Sequence, residues 1–101
     1  MIKELNERNF DENIKNGIKL VFFSAIWCGF CSKQKPILNE LSEQKIWIGE
    51  VDSDKNPALI EKFNIKAFPS FLLFKNGNVI ASFSGYKDKY DLLNTLLSYL
   101  Q

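Results

Sequence analysis

The feature that most constrains this chain is Trp27-Cys28-Gly29-Phe30-Cys31, which holds its only two cysteines. Before it runs Leu20-Val21-Phe22-Phe23, apolar, too short for a helix and rich in strand formers. After it, Gln34, Ile37, Leu38 and Leu41 recur at helical spacing. The thiols therefore lie where a covered strand gives way to a helix. There the unpaired amides and the positive end of the dipole favour an anion. Cys28 at that end ionises readily, and the thiolate is the nucleophile. Cys31, one turn on, is placed to attack a mixed disulfide formed by Cys28. The pattern points to thiol–disulfide exchange.

Zinc would need two more Cys or His ligands than the chain has, since it contains no histidine, so no metal and no cofactor are expected. The net charge of +1 gives no field to recruit nucleic acid or anionic lipid. No apolar run approaches the ~20 residues of a membrane span, and Met1-Ile2-Lys3-Glu4-Leu5-Asn6 lacks the apolar core of a signal peptide. These features lead us to expect a cytoplasmic protein with its thiols reduced at rest, a single domain over residues 1–101, and a monomer.

Along the chain, Ile2 to Leu5 reads as a short strand, and Asn6 or Asn9 as the cap of a helix carrying Phe10 and Ile14. Ile18 to Ala25 reads as a strand covered on both faces. Pro36 falls inside the helix that follows the cysteines. Ile46 to Asp52 reads as a strand with Ile46, Ile48 and Glu50 on one face and Trp47, Gly49 and Val51 on the other. Asn56-Pro57 opens a short helix through Leu59, Ile60 and Phe63 as cap and first residue. Ser70 to Phe74 and Asn78 to Phe83 form a hairpin around Asn76-Gly77. Leu92, Leu93, Leu96, Leu97 and Leu100 make the core stripe of a last helix. The order predicts an α/β fold: a mixed sheet of about five strands flanked by about four helices.

The chain resembles the thioredoxin family over nearly its whole length. The resemblance is carried by Trp27-Cys28-Gly29-Phe30-Cys31, Pro36, Val51-Asp52, Asn56-Pro57, Phe68-Pro69-Ser70, Phe74-Lys75-Asn76-Gly77 and Gly85. It implies the thioredoxin fold and reduction of protein disulfides, with Cys28 as nucleophile and Cys31 as resolving thiol. It also implies re-reduction by a flavin- and NADPH-dependent thioredoxin reductase. Pro69 would follow a cis peptide bond, and Trp27, Gly29, Phe30, Phe68, Pro69, Gly85 and Tyr86 would form the exposed face that receives the partner. A more oxidising oxidase or isomerase, or a redox-silent binding module using the same groove, are the rival readings.

Three positions depart from the family pattern. Gly29-Phe30 replaces Gly-Pro between the cysteines, and the freed amide of Phe30 is expected to donate toward Cys28. Phe22 stands where thioredoxins carry a buried Asp that accepts a proton, and Glu50 stands where they carry a Lys facing it. Glu50, turned inward with its carboxyl raised by burial, is the candidate acceptor for the Cys31 proton; solvent exposure or pairing with a nearby Lys is the alternative.

Overall fold

The computed structural model describes residues 1–100. The elements are β1 (Lys3–Leu5), α1 (Phe10–Ile14), β2 (Ile18–Ser24), α2 (Gly29–Glu43), β3 (Ile48–Asp52), α3 (Pro57–Lys62), β4 (Ser70–Lys75), β5 (Asn78–Ser84) and α4 (Lys89–Leu100). One sheet runs β1-β3-β2-β4-β5, with β1 and β2 parallel to β3, and β4 antiparallel to β2 and β5. This is the mixed sheet with four helices that the sequence predicts, and it is the thioredoxin fold.

β2 lies at the centre because both of its faces are apolar. Leu20 and Phe22 join a cluster with Leu38 and Leu41 of α2 and Leu92 and Leu96 of α4. Val21 and Phe23 join the opposite cluster, with Phe10 and Ile14 of α1 and Leu59 of α3. All four β2 residues are 0–1% exposed. Removing water from so much apolar surface is the main force holding the helices to the sheet. On the α2/α4 side Phe22 stacks on Phe71 at 5.5 Å, and Phe71 on Phe83 at 5.0 Å, so one column of rings crosses three strands.

Several local readings change on folding. β3 begins at Ile48 rather than Ile46, although Trp47 still accepts the Leu20 amide and the two faces sort as the alternation requires. Asn9 and Asn56 occupy N-cap positions, but neither side chain caps its helix. Asn56 is buried and tied elsewhere: it accepts the Glu7 amide at 3.1 Å and donates to the Asp52 carbonyl at 3.0 Å. Glu7 instead reaches the first turn of α3, accepting the Ala58 amide at 2.8 Å. The leucine stripe of α4 is only partly core. Leu92 and Leu96 are buried, whereas Leu97 and Leu100 are exposed and wall a hollow of about 290 Å³ with Ile18, Ile46 and Trp47.

Two turns set the sheet's geometry. Asn76 and Gly77 have positive φ (50° and 84°), as the tight turn between β4 and β5 requires. Asn76 also exchanges two hydrogen bonds with Gly17, which pins this hairpin to the entry of β2. At the first turn of α4, Lys89 meets Glu40 of α2 at 2.6 Å. The hydrogen bond and charge of Glu40 raise the Lys89 pKa from its ordinary value, though so exposed a pair adds little stability.

Gly49 is where β1 is admitted. A Cβ there would lie 2.5 Å from Leu5 Cδ1 and 2.9 Å from its Cγ, and Leu5 is 1% exposed. Gly49→Ala is therefore expected to cost about 1–3 kcal/mol through overpacking. Urea unfolding checks this, and a stability equal to wild type would show that β1 yields freely at that contact.

Candidate active site

The site is assembled at the end of β2. After Ser24 the chain turns through Ala25–Trp27, with the Cys28 amide donating to the Ala25 carbonyl at 3.1 Å, and enters α2 with Cys28 as N-cap. Asp54 holds the turn from outside by accepting the Ile26 amide at 3.2 Å. Cys28 and Cys31 are joined as a disulfide. The amide aimed at Cys28 Sγ is that of Cys31, at 3.2 Å, rather than that of Phe30. An N-cap side chain accepts from the amides two or three residues on, and Cys31 occupies that position. Cys28 is 7% exposed and Cys31 2%, so both are buried and Cys28 is the less deeply covered.

Two aromatic pairs flank the disulfide. Trp27, 69% exposed, meets Phe68 at 5.5 Å with the rings nearly perpendicular. Phe30, 61% exposed, leans on Tyr86 at 6.2 Å, and the Lys33 ammonium lies 5.0 Å above the Tyr86 ring. The Phe68–Pro69 peptide bond is cis. Pro69 is buried rather than part of the exposed face, while Gly29 and Gly85 are exposed and Phe68 and Tyr86 half-buried. Gly85, at φ +92°, donates its amide to the Pro69 carbonyl at 2.8 Å, binding the two loops together.

Three contributors were not singled out from the sequence. Gln34 is fully buried, and its amide forms a two-way bridge with the main chain of Lys87, both bonds at 2.9 Å. That bridge fixes the loop bearing Gly85 and Tyr86 to the active-site helix. Its only sequence signal is a glutamine on an apolar stripe. Ser24 and Lys35 are the others. Ser24 Oγ donates to Glu50 Oε2 at 2.7 Å, and Lys35 Nζ lies 3.1 Å from the same oxygen. Glu50 is thus neither isolated among apolar groups nor free in solvent: its side chain is 19% exposed and lies on the face that packs under α2. The site expected from the inward reading alone, a lone buried carboxyl, is replaced by a paired one.

A disulfide whose first sulfur caps a helix, set on a five-stranded mixed sheet, defines a thiol–disulfide oxidoreductase. The comparisons with known proteins agree. The family model described as Thioredoxin matches residues 1–98. The chain is 37% identical over 102 residues to the thioredoxin of Staphylococcus haemolyticus, covering 98% of each chain. It is 38% identical over 98 residues to that of Chlamydia pneumoniae, covering 95% of this chain and 96% of the relative. It is 31% identical over 103 residues to that of Listeria monocytogenes, covering 99% and 100%. The chain belongs to the thioredoxin family, whose substrates are proteins carrying disulfides.

The Gln34 bridge gives a direct test. Gln34→Leu leaves the Lys87 amide and carbonyl without partners, so stability is expected to fall by about 1–3 kcal/mol. Amide exchange should rise selectively at Gly85–Lys87. Unchanged exchange there would show that the loop is held by other contacts.

Proposed function

We propose that the protein reduces disulfides of partner proteins, with Cys28 attacking and Cys31 resolving. The observation that carries this is the unequal placement of the cysteines: Cys28 is the less buried and its sulfur accepts an amide at the helix terminus, while Cys31 is more deeply covered. The Cys28 thiolate attacks one sulfur of the substrate, releasing the other as a thiolate and forming a mixed disulfide. The Cys31 thiolate then attacks Cys28 Sγ, and the second substrate thiolate leaves. The substrate gains two electrons and two protons, and the protein is left as its disulfide.

The partner is received between the two aromatic pairs. Trp27 and Phe68 offer apolar area on one side of Cys28, and Phe30 and Tyr86 on the other. Phe68 lies ahead of the β4 ladder, which begins at Ser70, so its main chain suits pairing with an extended substrate segment. Gly29 and Gly85 add no side chain over the approach to Cys28. The cycle closes when a flavin- and NADPH-dependent thioredoxin reductase returns the dithiol. The chain works as one monomeric unit over residues 1–101, in a reducing compartment, the cytoplasm.

Cys31→Ser is expected to accumulate stable mixed disulfides with protein targets, and Cys28→Ser to form almost none. Faster alkylation of Cys31 than of Cys28 in the reduced protein would reverse the assignment. Equilibration with glutathione is expected to give a potential on the reducing side of about −180 mV, whereas a value near about −120 mV would mark an oxidant.

A further inference from the structure

We infer that Glu50, held by Ser24 and Lys35, takes the proton from Cys31 when the mixed disulfide is resolved. This rests on the exchange reaction proposed above.

The need for an acceptor follows from burial. Cys31 is 2% exposed and sits in the cluster of Phe22, Leu38 and Phe71. Such surroundings disfavour the thiolate, yet only the thiolate can attack Cys28 Sγ. Phe22 has no proton-accepting group and is committed to the ring column, and no histidine exists in the chain.

Cys31 nevertheless borders a polar cavity. A cavity of about 180 Å³ is walled by Cys31, Ser24, Ser32, Lys35, Glu50 and Asp52. It is roomy enough for water to bridge the thiol to a carboxylate. Lys35 follows Cys31 by one helical turn, so both side chains face this space. Ser24 and Lys35 both contact Oε2 of Glu50, which leaves Oε1 to accept a proton. An ammonium and a hydroxyl on Oε2 hold the carboxylate in place, so Ser24 and Lys35 are positioning residues.

The other charged groups around Glu50 are less suited. Asp52 lines the same cavity but is engaged with the chain after β3, accepting the Asp54 amide at 2.9 Å through Oδ1, and lacks the hydroxyl and ammonium contacts that hold Glu50. Glu4 of β1 pairs in register with Glu50 but lines a second cavity, of about 170 Å³, whose walls do not include Cys31. Asp54 is turned to the Ile26 amide. Lys35 is the one cation lining either space.

In the step itself, the Cys31 S–H bond breaks and its proton passes to Glu50, directly or through water. The Cys31 lone pair forms the bond to Cys28 Sγ as the Cys28–substrate S–S bond breaks, and the departing substrate thiolate carries that electron pair. Glu50 then returns its proton to the departing thiolate or to water. Cys28 and Cys31 are oxidised to the disulfide, and the substrate sulfur is reduced.

Glu50→Gln keeps the shape and an acceptor for Ser24 while removing the base. Rapid mixing of the reduced protein with an aromatic disulfide whose thiolate absorbs visible light resolves two phases, attack by Cys28 and resolution by Cys31. The first phase is expected to stay within about twofold of wild type. The second should slow by about tenfold or more at pH 7, the deficit closing by about pH 10 as Cys31 ionises unaided. Lys35→Met should slow the second phase and leave the first within about twofold, because the carboxylate loses the ammonium that holds it in place. Equal second phases from about pH 6 to 9 would overturn the inference. So would a slowing of equal size at every pH, which marks a structural role, or a slowing produced by Asp52→Asn instead. Loss of the first phase in wild type would overturn the exchange reading itself.

Discussion

The structure depends on a central strand that is apolar on both faces. A strand such as β2 is stable only when helices cover both of its faces. The sequence supplies them from either side, α1 and α3 against Val21 and Phe23, α2 and α4 against Leu20 and Phe22. Because β2 is locked between β3 and β4, the position of its last residue is fixed, and with it the turn that delivers Cys28 to the start of α2. Cys28 is therefore placed by core packing rather than by loop contacts. The loops facing it are then tied back to α2 and to one another by Gln34 and by the Gly85–Pro69 bond.

Phe22 shows how one core choice moves polar chemistry elsewhere. A carboxyl at that position would stand in the ring column with Phe71, where burial without a partner is costly. With a phenyl there, the column is continuous from β2 to β5. Polar groups gather instead one strand over and two residues on: Glu50 pairs in register with Phe22 on β3, and Ser24 follows Phe22 on the same face of β2. The parallel register of β2 and β3 brings Ser24 and Glu50 within hydrogen-bonding distance, and Lys35 descends from α2 to complete the group.

Much of this was legible in the sequence because the signals were local and strong. The apolar run of β2, the helical spacing after Cys31 and Asn76-Gly77 each report on a few neighbouring residues, and each gave the right element. The cysteine pair was legible for the same reason, its meaning set by the strand before it and the helix after it. What could not be read depends on how elements lie against one another. The Gln34 bridge needs the rotation of α2 relative to the loop after β5. The Ser24–Glu50–Lys35 group needs two strand registers and a helix position together. Asn56 looked like a cap because Asn-Pro so often is one, but tertiary contacts with Glu7 and Asp52 claimed its side chain. The exposed turn of α4 carries the same hydrophobic period as the buried ones, so nothing in the pattern separates them.

The sheet order has a consequence for which partners the chain admits. An open sheet has two edges, and each offers unpaired amides and carbonyls to any extended chain. Here both are blunted, by different means. β1 is three residues long, and two of them, Lys3 and Glu4, are exposed charges. Along β5 the pairing slips: Leu73 faces Ala81 but Phe74 faces Val79, which leaves Ile80 as an extra residue, a bulge that disturbs the outer ladder. A sheet left open at its edges is exposed to indiscriminate strand pairing. Blunting both edges discourages such pairing along the sheet itself, whatever extended chain the molecule meets.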